Sequence, residues 1–524
     1  MQLKTLLAFT LFWLALSAFA QSPVLVQDFN SGENDSYNFF NFQGITFQDH
    51  LIFPIVGDDI GEEVAVVTNG ELAVLKDVNP GMASSQPKYF TEFQGKVFFS
   101  AFDATNGGAL WVTDGTPDGT TLFFDPGTHP TSTPQGLIVS ASGYLYYTYD
   151  GELFRTDGQE NESVFDGVAF TSAYVQASNN YTTYGEEIAF LTQAADDTVR
   201  LYTVAEGTAV LLAQTTETSN FADVFGLSEV EAGLVFGVDD SFNGEVNGTY
   251  VYQKSDGILS KLDISGASAN RLHPFTTGQA LGWFGNLGYY GINGVSGEEE
   301  LLYASSNLSA TQGTGIQYAA YQDKMVFAVS EGFFGDDFLV YSDGTAAGTQ
   351  NLFEISSYIS NILTAGQYAF IASGTSNGFR PELYYVDLED GSYKNFYNFN
   401  QSSVFIDAIL LLGVQNDRLY FLSNLDTSIG RELYYIDLDI EVTTAVRDNR
   451  IEPAFEVQLT PTTFEVLAEE FGQVRVHVFT QDGRLLESLQ TPTHQRYDIS
   501  HLHGFLLLQF ELNGQMQTRK FFRP

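Results

Sequence analysis

Five acidic segments carry the residue types best suited to chemistry: GDDIGEE from Gly57, AADDT from Ala194, DDSFNGE from Asp239, GEEE from Gly297 and EGFFGDD from Glu331. In the third, Asp239, Ser241, Asn243 and Glu245 alternate as oxygen donors around Gly244. That pattern opens like a calcium loop, since hard oxygen ligands are what this cation takes. Tyr250 stands where such a loop would place its closing bidentate glutamate. Calcium is therefore the one cofactor the sequence suggests, with an incomplete ligand set. Aromatic side chains stand among the same acids. Phe242, Phe333 and Phe334, with Asp336 and Asp337, are the candidates for stacking on a sugar or filling a pocket on a protein partner.

Other chemistries find less support. The seven histidines are His50, His129, His273, His477, His494, His501 and His503, and no zinc-protease helix motif, serine elbow or phosphate-cradling glycine loop occurs. Paired carboxylates could serve a polysaccharide hydrolase or lyase, but no pair is singled out and no catalytic residue is nominated. Absence of cysteine excludes disulfides and thiolate sites. With 22 basic against 65 acidic side chains the net charge is −43, which disfavours nucleic acid and anionic lipid as partners.

The elements that must position these residues repeat along the chain. The plainest unit is KVFFSAFDATNGGALWVTDGTPDGTTLFFD from Lys96, and FLVYSDGTAAGTQNLFEI from Phe338 repeats its latter half. Shorter echoes begin at Val64, Gly151, Arg200, Thr249, Glu300, Pro381 and Arg431. Upstream of each lies a tight turn and an apolar triplet, starting at Leu51, Val97, Leu145, Ile188, Leu234, Leu287, Met325, Tyr368 and Leu419. Turn pairs such as Gln94-Gly95 and Asn416-Asp417 read as hairpin turns. Each unit of roughly 46 residues then holds four strands, a to d, the length of one propeller blade. In the second unit these are 88–93, 96–102, 109–113 and 121–125. The expected architecture is an all-β propeller of eight or nine four-stranded blades, with Val24 to Asp28 as an extra d strand able to pair with the last blade and close the ring.

Blade geometry assigns the acids to a face. Turns a–b and c–d share one face of such a disc, and b–c loops and d–a connections share the other. All five acidic segments are read here as b–c loops, so that face is where a glycan or protein ligand is expected.

Two resemblances add to this reading. ALWVTDGTPDGTTLFFD and FLVYSDGTAAGTQNLFEI resemble the ELWxxDGT repeat of bacterial secreted proteins, which implies a surface propeller and does not imply an enzyme. Within the motif, Asp114 and Asp343 are expected to cap the turn and Gly115 and Gly344 to supply its left-handed residue.

The ends differ from the repeats. Residues 1–20 have a Lys4 n-region, an apolar stretch from Leu6 to Phe19 and small residues at Ala18 and Ala20, so a secretory leader cleaved between Ala20 and Gln21 is expected. The repeats fill a domain over 21–450. Residues 451–524 alternate with turns at Asp482-Gly483 and Asn513-Gly514, as in a small β-sandwich. This segment resembles the type A C-terminal sorting domain of the type IX secretion system, through Gly483-Arg484, the stretch Asp498 to Phe505 and the basic tail Arg519, Lys520 and Arg523. The resemblance implies the type IX machinery as a partner and an extracellular or cell-surface location on a Gram-negative bacterium. No apolar run after the leader is long enough to span a bilayer, so no transmembrane helix is expected once the leader is removed.

Overall fold

The computed structural model describes residues 22–31, 34–37, 43–125, 132–166, 180–193, 198–215, 223–239, 248–262, 271–274, 280–283, 289–292, 299–303, 318–330, 337–355, 358–374, 381–399, 406, 409–426, 428–440, 442, 455–459, 463–468, 473–480, 485–492, 496–498, 504–512 and 515–523. Among them there is no α-helix, and none therefore long and apolar enough to cross a membrane. The chain divides into two compact units, Met1–Thr444 and Ala445–Pro524.

The first unit is a nine-bladed β-propeller, each blade a four-stranded antiparallel sheet. Blade 1 comprises Ile45–Phe47, His50–Gly57, Gly61–Thr68 and Glu71–Lys76. Blade 2 comprises Lys88–Phe93, Lys96–Asp103, Gly107–Thr113 and Thr121–Phe124, within two residues of each expected bound. The ninth blade takes three strands from the end of the unit, Leu410–Gln415, Arg418–Ser423 and Glu432–Asp437. Its fourth is Val24–Gln27, paired antiparallel as Val24↔Tyr435 and Gln27↔Leu433. The first strand thus seals the ring, and the edge that the last blade would have exposed is covered.

Packing explains why strands b and c read as nearly continuous apolar runs. Each blade is covered on both faces by its neighbours, so alternate side chains of one strand serve different interfaces. In blade 2, Val97, Phe99, Ala101, Ala109 and Trp111 pack against blade 1 residues such as Ile52 and Val64. Their alternates Phe98, Leu110 and Val112 pack against Leu145 and Tyr147 of blade 3. An apolar cluster of this kind joins every adjacent pair around the ring, including blades 9 and 1 through Leu410, Leu422, Leu51 and Phe53. Strand d meets solvent on one side, and Thr121 and Leu122 are exposed accordingly.

Blade 6 corrects the sequence register. Its strands are Arg271–Pro274, Ala280–Trp283, Tyr289–Ile292 and Glu299–Tyr303, in that order across the sheet. The triplet read from Leu287 as strand b therefore leads into strand c, and the segment from Glu300 belongs to strand d. Strand b is instead the short Ala280–Trp283, whose small residues Ala280 and Gly282 made it a weak apolar signal. With Leu281 as the marker, its spacing to Met325 becomes regular, and the blade count is nine.

In the second unit, Phe455–Leu459 and Thr463–Ala468 pair with each other, and Arg496–Asp498 joins the latter. A separate sheet orders Leu485–Pro492, Gln473–Thr480, Gly504–Leu512 and Gln515–Arg523. Hairpins accordingly bracket both Asp482-Gly483 and Asn513-Gly514.

Candidate functional face

Strand direction sorts the connections by face. On one face lie the a–b turns, where Gln94 and Gly95, and likewise Asn416 and Asp417, all take positive φ, the left-handed pairs that tight hairpins need. The c–d turns lie beside them and include both DGT motifs. Asp114 Oδ1 accepts from the Thr116 amide at 3.0 Å and its hydroxyl at 2.6 Å, and Asp343 Oδ1 does the same to Thr345 at 3.0 and 2.7 Å. Thr116 Oγ1 and Thr345 Oγ1 in turn accept from the amides of Gly119 and Gly348. Hydrogen bonding from Thr116 holds the Asp114 carboxyl below its usual range. For Asp343 burial acts the other way, but the bonds from Thr345 prevail and the carboxyl is again lowered. These aspartates are turn caps, as expected.

The opposite face carries the d–a connections and b–c loops, and acids are plentiful on it. Some are spent on structure. Glu63, fully buried at the start of strand c in blade 1, accepts from the amides of Val78 at 2.7 Å and Ser85 at 3.1 Å and from the Ser85 hydroxyl at 2.7 Å. All three donors belong to the connection into blade 2, so Glu63 clamps that connection down. Burial pushes its carboxyl up to about 7, with the bonds from Ser85, Val78 and Asn79 opposing and the nearby Asp77 reinforcing. Glu432 opens strand c of blade 9 in the equivalent place and is also fully buried. Asp103 Oδ1 accepts from the Thr105 and Asn106 amides in the b–c turn of blade 2. Asp58 accepts from Ser31, and Asp35 pairs with Arg431 at 2.5 Å.

The nominated site residues fall out as follows. Asp239 ends strand b of blade 5 and pairs with Asp223, while Ser241, Phe242, Asn243 and Glu245 lie outside the described residues. Phe333, Phe334 and Asp336 also lie outside them, as do Ala20 and Gln21. Asp337 is not an exposed ligand-facing acid: it is 1% exposed, opens strand c of blade 7, and its Oδ2 accepts from the Ile359 amide of the next blade at 2.7 Å. Of GEEE, Glu299 and Glu300 open strand d of blade 6 and so start from the other face, while Gly297 and Glu298 lie outside the described residues. No group of three His, Asp or Glu able to hold a metal ion occurs among the described residues. Sequence reading missed the clamps. Their signal was an acid directly before the apolar core of strand c, as in Glu63-Val64-Ala65 and Glu432-Leu433-Tyr434.

What remains is an asymmetry of loop length on this face. Strands b and c are joined by short links in blades 1 to 3, from Gly57 to Gly61, Asp103 to Gly107 and Tyr149 to Glu152. In blades 5, 7, 8 and 9 the links run from Asp239 to Gly248, Ser330 to Asp337, Ser373 to Glu382 and Ser423 to Glu432. The a–b turns show no such spread.

No protein-family model matches the chain, and no curated protein matches it. Among solved structures, it is similar to a puromycin-hydrolyzing peptidase of Mycobacterium tuberculosis at 12% identity and a TM-score of 0.39, over 73% of this chain and 58% of that one. It is also similar to the WD40 domain of SCAP from fission yeast, at 9% identity and a TM-score of 0.37, over 68% and 95% of the two chains. A third likeness is to Sqt1 of Saccharomyces cerevisiae, at 11% identity and a TM-score of 0.33, over 67% and 95%. Against the peptidases the chain spans little more than half of their length.

Proposed function

We propose that this protein is a secreted or cell-surface propeller that binds a glycan or protein ligand on its b–c loop face and is exported through its C-terminal module. The observation that carries the binding half is the loop asymmetry: the b–c links lengthen in blades 5, 7, 8 and 9, while the a–b turns at the other end of the same strands stay short. Function concentrates on loops held by a rigid scaffold, and variable length is what a recognition surface needs. Acids committed to clamps leave fewer carboxylates for acid–base chemistry, which favours recognition over hydrolysis.

A glycan array and a pull-down from extracellular material test this, with a polysaccharide panel alongside. Capture of a defined glycan or protein without turnover is expected; turnover with no captured ligand would overturn the reading in favour of the hydrolase or lyase. Export is tested by ending the chain before Ala445, which should strand the propeller in the periplasm. Normal release of that shortened chain would refute the sorting role.

A further inference from the structure

The seam that closes the ring is held by a buried acid. Glu432 Oε2 accepts from the Phe29 amide at 3.1 Å and the Ser36 hydroxyl at 2.5 Å, and both donors lie across the seam, beyond the strand Val24–Gln27. Oε1, equally buried, has no hydrogen-bond partner among the described residues. The charged groups around it are mostly of one sign. Asp28 faces it from the end of the seam strand, and Asp426 of the b–c loop shares with both of them the phenol of Tyr434. Asp35 is already paired with Arg431, the neighbouring cation, and Tyr37 stands beside that pair with its phenol kept neutral by burial. Ionising Glu432 would put a negative charge on a buried carboxyl beside the exposed Asp28 and Asp426, with one carboxylate oxygen lacking a donor, an arrangement that favours the neutral form.

We propose that Glu432 makes the ring seam pH-sensitive: protonated it holds the N-terminal strand in the last blade, and ionised it loosens that strand. Burial, with Asp28 adding to it and the bonds from Ser36 and the Phe29 and Asn30 amides opposing, raises the carboxyl to about 7. A group whose folded value is raised contributes stability that is complete below its unfolded value, near 4.5, and is lost as pH rises through the folded value. Opening of the seam then releases one proton between about pH 5 and 7, and the device acts across that window.

Hydrogen exchange read at the amides of Val24–Gln27, as protection factors from pH 5 to 9, tests the device. Expected is a fall of up to about tenfold per pH unit between about 5 and 7 and a plateau above, beyond any change in strand Glu187–Gln193 of blade 4. E432Q keeps an acceptor for Phe29 and Ser36 and should make the seam profile flat. D28N, which alters only an exposed neighbour, should bring the plateau to lower pH and serves if E432Q does not fold. A flat profile in the native chain, an unchanged slope in E432Q, or no displacement in D28N would each overturn the proposal.

Discussion

Glu63 shows how much a single residue does in this fold. Replacing it with alanine leaves the Val78 amide buried without its acceptor, while the Ser85 amide and hydroxyl keep the Glu62 carbonyl at 2.9 and 3.1 Å; an unsatisfied buried group costs about 1–3 kcal/mol before relaxation. A net loss of about 1–3 kcal/mol is expected for E63A from that range, read as a lower denaturation midpoint at unchanged slope. Glu63 and Glu432 both titrate upward to about 7, so the native state holds more protons than the unfolded chain between about pH 5 and 7. Stability should therefore decline with rising pH over that window, and E63Q should remove its share of the decline. Equilibrium unfolding at several pH values checks both. Neither role was legible in the sequence, where these glutamates sat among loop acids: burial is a property of the neighbouring connection, and a one-dimensional reading does not contain it. The capping role of Asp114 and Asp343 was legible, because a DGT turn is local and its bonds close within a few residues.

At the scale of the element, the DGT turn couples its residues tightly. A side-chain carbon added at Gly119 would stand 1.9 Å from Asp114 Oδ1, so G119A must expel the capping carboxylate. A cost of about 1–2 kcal/mol is expected, in line with the loss of a local cap. Because the clash is with the Asp114 side chain, G119A should cost distinctly less in a D114A background. Strict additivity in that double-mutant cycle would contradict the turn described here. Strands of blade 2 were legible almost to the residue, since the apolar runs, the Gln94-Gly95 turn and the DGT turn bracket them. Blade 6 was not. Its strands are four or five residues long, and glycine weakens the second and third of them, so the periodic signal drifted by one strand and carried Glu299 and Glu300 to the wrong face.

Across the whole molecule, closure by the N-terminal strand was anticipated from its resemblance to a d strand, whereas the blade number required the corrected register of blade 6. A propeller distributes its core over the interfaces between blades, so opening one seam exposes the facing apolar sides of two blades at once. Removing residues 22–27 should accordingly lower the calorimetric melting temperature by several degrees and promote association through the uncovered edge of Glu432–Asp437. An unchanged melting temperature would mean the strand is not part of the closure. Nothing in the fold itself names the ligand, because the same scaffold hosts many functions and recognition resides in loop side chains.

The most direct test of the binding face is a comparison of two sets of trimmed variants against one captured ligand. In the first, the b–c links between Asp239 and Gly248 and between Ser330 and Asp337 are shortened to tight turns; in the second, the c–d turns at Asp114 and Asp343 are shortened. Binding is expected to fall by about tenfold or more in the first set and to be retained in the second, with melting temperatures confirming that both sets fold. Binding that survives the first trimming and is lost with the second would place recognition on the opposite face and contradict the assignment.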